Sequence, residues 1–171
     1  MQLVRLCFAS LLPLLLAGCS SVAPSTASPQ LVIRRGDVQG VPWEAIAFLE
    51  GGRLCTTTRE RAGQDSGSGG ACGPAVVPAG NVLFAAMSGQ PLIAHGVASE
   101  DVAKVRLETT GDDVDVDVSS MTALGVSARA FAAAVPPETE VVFFVALDED
   151  GNEIGRVVGP AAPGGSAPLE S

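Results

Sequence analysis

From residue 30 onward, apolar and polar positions change over within short stretches, and none of them sustains the 3.6-residue period of an amphipathic helix. The clearest stretch is 103–108, where Ala103, Val105 and Leu107 alternate with Lys104, Arg106 and Glu108. That is the pattern of a strand with one face in a core and the other in water. The same reading predicts strands at 31–37, 43–50, 53–59, 82–87, 92–98, 102–109, 113–118, 127–133, 140–147 and 153–158. The stretch 141–147 is apolar on both faces and is expected in the middle of a sheet. Gly51-Gly52 is the kind of pair that a two-residue hairpin turn demands, and Gly111-Asp112 and Asp150-Gly151-Asn152 punctuate the chain further on. One segment is ambiguous. The alanines of 121–134 suit a helix, whereas Gly125 and the prolines at 136 and 137 oppose one.

Many short strands at regular spacing predict an all-β fold, a single β-sandwich of immunoglobulin-like or related topology, over residues 30–158. The stretch 131–155 carries Phe-Ala-Ala-Ala-Val-Pro-Pro and then Val-Val-Phe-Phe-Val-Ala-Leu-Asp-Glu-Asp-Gly-Asn-Glu. It resembles the closing hairpin of bacterial immunoglobulin-like and carboxypeptidase-regulatory-like modules, and is similar to secreted proteins of actinomycetes. The resemblance implies a fold and brings no mechanism with it.

The ends of the chain follow different rules. Arg5 precedes an apolar stretch, 6–17, that is too short to span a bilayer but suits the core of a signal peptide. It ends in Leu16-Ala17-Gly18-Cys19, which resembles the bacterial lipobox. The resemblance implies cleavage before Cys19, diacylglycerol on its thiol, and a membrane partner reached through that anchor. Residues 1–18 are then the signal peptide and 19–29 a lipidated cysteine with a flexible tether. The small, polar and proline-rich residues 20–29 reach roughly 35 Å when extended. The tail 159–171 has a similar composition and is expected to be disordered.

Composition narrows the function classes. The net charge is −9, and the excess of acid lies in the C-terminal half, where residues 100–171 hold four basic and fourteen acidic side chains. A nucleic-acid footprint is absent. Besides Cys19 the exported part holds only Cys55 and Cys72, which are expected to pair as a disulfide across a glycine- and serine-rich loop. Neither a Cys-x-x-Cys nor a neighbouring histidine suggests a metal or redox site.

Asp113, Asp115 and Asp117 alternate with Val114, Val116 and Val118, so on a strand the three carboxylates share a face. Calcium could relieve their repulsion, with Asp112 or the 148–150 turn adding oxygens. The plainer reading is a solvated face that keeps an edge strand from aggregating. His95 is the sole histidine; a hydrolase would need it beside Ser88 or Ser99, and no Gly-x-Ser-x-Gly elbow is present. Trp43 and Phe48, Phe84, Phe131, Phe143 and Phe144 are expected in the core. The sequence therefore points to a membrane-anchored, non-enzymatic lipoprotein whose sandwich meets a protein or envelope partner, with a calcium module and a hydrolase as alternatives.

Overall fold

The computed structural model describes residues 29–60, 70–88 and 92–160. The expected signal peptide, Cys19, all but Pro29 of the expected tether and the tail beyond Pro160 lie outside them, as do the side chains of Phe84 and Ser88. Twelve strands are described: β1 (Gln30–Val38), β2 (Val41–Glu50), β3 (Arg53–Glu60), β4 (Ala71–Pro74), β5 (Val82–Ser88), β6 (Ile93–Ala98), β7 (Lys104–Thr109), β8 (Val114–Asp117), β9 (Ser119–Ser120), β10 (Arg129–Ala134), β11 (Val141–Leu147) and β12 (Glu153–Val158).

They form three antiparallel four-stranded sheets, and the expected all-β sandwich is what the chain adopts. The first sheet is a meander, β1-β2-β3-β4. Its first two turns are two-residue turns in which both positions take positive φ, Gln39-Gly40 and Gly51-Gly52, matching the twist of the flanking strands. The second sheet has the order β5-β6-β10-β9 and the third β12-β11-β7-β8. Lettering these eight strands A, B, C, C′, D, E, F and G along the chain gives A-B-E-D against G-F-C-C′. That is the strand order of immunoglobulin-type sandwiches with one added edge strand.

The meander makes the sandwich three layers deep, because it packs on the free face of the second sheet. Ile33, Trp43, Ala45, Ala47 and Leu54 of the first sheet share a core with Ile93, Val97, Ala130 and Ala132 of the second. The neighbouring residues on the same second-sheet strands, Ala94, Ala98, Phe131 and Ala133, point the other way. They join Val105, Leu107, Val116, Val141, Phe144 and Ala146 of the third sheet. With a side-chain period of two, a strand covered on both faces must be apolar or have its polar groups bonded, and every residue of β6 is buried, His95 being its one polar side chain. Alanines on β2 and β10 keep the first interface thin, whereas the second takes Phe131 against Phe144, ring centroids 6.0 Å apart.

Local chemistry explains where sequence pattern and structure part. The ambiguous segment becomes a 3-10 turn, Thr122–Leu124, ended by Gly125 in the left-handed conformation and followed by β10. The alanines there serve close sheet packing in place of helix propensity. Strands β4 and β9 carried too few residues to show a period. Gly36 lies opposite Trp43, and a Cβ on it would sit 2.7 Å from the indole carbons, so glycine is what lets the ring lie across β1.

Candidate functional site

Cys55 and Cys72 face each other across β3 and β4 and are joined by a disulfide, as expected of the two cysteines left besides Cys19. Cys19 lies outside the described residues. The disulfide also accounts for the one group of three metal-type donors found among the described residues, Glu50 with Cys55 and Cys72. Both of its sulfurs are committed to each other.

Asp115 and Asp117 lie on the exposed face of β8, an edge strand of the third sheet, and Asp113 immediately precedes it. Arg106 donates from Nε to Asp115 at 2.8 Å, and Lys104 adds an ion pair at 3.7 Å. The Arg106 hydrogen bond holds the Asp115 carboxyl below its ordinary pKa, against a smaller opposing effect of burial. Asp113 accepts from the backbone N–H of Thr109. Cations on β7 thus offset the charge of Asp115. The Asp148 carboxylate is turned inward on its own loop, where it accepts from Asp150 N–H, Asn152 N–H and the Asn152 side-chain amide. The Asn152 amide is foremost in holding the Asp148 pKa down.

His95 is completely buried between the first and second sheets, its Nδ1 2.9 Å from the Thr56 hydroxyl. Ser99, four residues on, donates its hydroxyl to Asp101 and accepts from Asn81 N–H. The Asp101 carboxylate also accepts from Gly80 N–H. The hydrogen bond from Ser99, and after it that from Gly80, lowers the Asp101 pKa. These groups staple the connection between β4 and β5 to the loop after β6; the geometry does not bring His95 and Ser99 together as base and nucleophile. Trp43, Phe48, Phe131 and Phe144 are buried as expected, and Phe143 is half-buried beneath the Arg156 guanidinium, 4.9 Å from its ring centre.

The stapled loops form a concavity among the described residues, a cleft of about 590 Å³. Its lining combines apolar Ala75, Val76, Val77 and Val126 with polar Ser99, Glu100, Asp101 and Ser127. Val76 is 80% exposed, unusual for a valine held between two ordered strands. The cleft lies at one end of the second sheet, between the β4–β5, β6–β7 and β9–β10 connections. Sequence reasoning missed this site because its residues come from three connections far apart in the chain. The one available signal was Val76-Val77 in a segment too proline-flanked to extend a strand.

A second feature was also unseen in the sequence. Glu44 on β2 is 7% exposed at its side chain and is held by Arg35 of β1, at 3.0 Å, and Arg59 of β3. Burial alone would raise its pKa, but the hydrogen bonds from the two arginines outweigh it and the net shift is downward.

Compared with protein-family models, curated proteins and solved structures, the chain matches none of them.

Proposed function

We propose that the protein is a lipid-anchored, extracytoplasmic binding module, a non-enzymatic β-sandwich held to a membrane through Cys19. The observation that carries this reading is the conjunction of Leu16-Ala17-Gly18-Cys19 after an apolar leader with a disulfide between the two remaining cysteines of the exported part. Structural disulfides persist in oxidising, exported compartments, so the bond supports export independently of the leader. No helix among the described residues is long and apolar enough to cross a membrane. The cleft at the loop end, with exposed Val76 beside Glu100, is the surface offered to a protein or envelope partner. The burial of His95 against Thr56 supports the non-enzymatic reading.

Metabolic labelling with a palmitate analogue in a bacterial host tests the anchor. The full chain should take up label and partition with membranes, and Cys19→Ala should lose both. Equal labelling of the two chains, or none in either, overturns the proposal. For the cleft, Val76→Asp should weaken cross-linking to envelope components on intact cells without changing the thermal midpoint.

A further inference from the structure

We propose that residues 20–28, immediately ahead of β1, fold back across the outer face of the first sheet and cover it. The inner face of that sheet packs on the second sheet, and the outer face ought to be open to water. It is not. Phe48 and Ile46 on β2 are 0% and 1% exposed, and Cys55 beside Phe48 is fully buried. All described members of this small apolar cluster, Val32 and Cys72 included, come from the first sheet itself. A sheet buries a face with a further layer, about 10 Å away, and none of the described sheets lies on this side. Arg59 reaches from Glu44 to Gln30, so its stem passes over Ile46, but no such roof over Phe48 is found among the described residues. On the same face the Thr57 hydroxyl is buried without a hydrogen-bond partner. The missing cover must supply apolar surface and a hydrogen-bonding group.

The course of the chain selects the segment. Gln30 pairs directly with Phe48, so the chain enters β1 at the rim of the apolar patch. Residues 20–28 carry Val22, Ala23, Pro24 and Ala27 for contact, with serine and threonine hydroxyls for Thr57. Nine extended residues reach about 30 Å, whereas four strands are crossed in about 15 Å. The tail beyond Pro160 leaves from β12 in the third sheet, two layers away, roughly 20 Å on the opposite side. The loop 61–69 offers almost only glycine and polar residues. This inference holds whether or not Cys19 is acylated, since it draws only on residues that follow it.

The test uses the chain from residue 19 with Cys19→Ser, compared with the same chain lacking 20–28 and with one lacking 161–171. Removing 20–28 should lower the thermal midpoint by about 5 °C or more and raise binding of the dye ANS. A Phe48→Trp variant should become several-fold more open to acrylamide quenching on the same deletion. If that variant does not fold, the midpoint and dye binding of the unsubstituted chains decide. Unchanged behaviour without 20–28 overturns the proposal, as does the same opening on removal of 161–171. A dimer by light scattering whose dilution exposes the face would assign the cover to a second copy and overturn it equally.

Discussion

Phe131→Ala should be the most damaging single truncation in the domain, and its size can be worked from the packing. Phe131 is fully buried on β10, in the middle sheet, and faces the third sheet, where its ring meets Phe144 at 6.0 Å and 48°. Removing a buried phenylalanine costs about 3–5 kcal/mol through lost transfer energy and the cavity left behind. The aromatic pair accounts for about 1 kcal/mol of that. Against a typical domain stability of about 5–15 kcal/mol, the loss takes about a fifth of the total at the least. Phe143, next to Phe144 on β11 but on the opposite face of the third sheet, is the control: it is half-buried under Arg156, so Phe143→Ala should cost about 1 kcal/mol. Urea unfolding of residues 19–171 would measure both, with the midpoint falling and the slope constant in each case. A loss below about 1 kcal/mol for Phe131→Ala, or one no larger than that of Phe143→Ala, would refute the assignment of β10 to a sheet covered on both faces.

Three further outcomes follow from features already described. The Glu44 carboxyl has its folded pKa below the ordinary 4.5, so its contribution to stability is present above that pH and is lost as the pH falls through the lowered value. Glu44→Gln should therefore cost about 2 kcal/mol at pH 7, from the lost charged hydrogen bonds, and flatten the acid limb of the stability curve; an unchanged acid limb contradicts the pairing with Arg35 and Arg59. Cys55→Ala with Cys72→Ala opens a loop closed over a separation of 17 residues and should destabilise by about 3 kcal/mol, which a reductant should reproduce in the parent but not in the variant. Gly155 on β12 passes so close to Gly80 that an added Cβ would fall 2.0 Å from the Gly80 carbonyl oxygen. Gly155→Ala should cost about 1–3 kcal/mol, and a neutral thermal melt would deny that contact.

Much of the fold was legible because period-two patterning is a local signal. The alternation of 103–108 named the buried Val105 and Leu107 correctly, and the doubly apolar 141–147 does stand between β12 and β7. Gly51-Gly52 named its turn. What stayed hidden depends on residues that meet only in space. The same apolar run in β6 suits a core between two sheets or between any two layers, so the third layer could not be inferred from Ile93 to Ala98 alone. The Glu44 ion cluster joins three strands, and the cleft joins three loops. For the acidic face the alternation of Asp115 and Asp117 was readable, while the Arg106 and Lys104 partners that neutralise Asp115 required the register of β7 against β8.

The meander is translated first, yet the surface that completes it comes much later. Trp43, Ala45, Ala47 and Leu54 find their cover only when β6 and then β10 have left the ribosome, since Ala130 and Ala132 close the same core. Until then the nascent N-terminal third exposes a greasy sheet face that invites association with itself or with other chains. A chain built in this order benefits from being kept unfolded until its last strands are available, which is the condition that post-translational secretion imposes on its cargo.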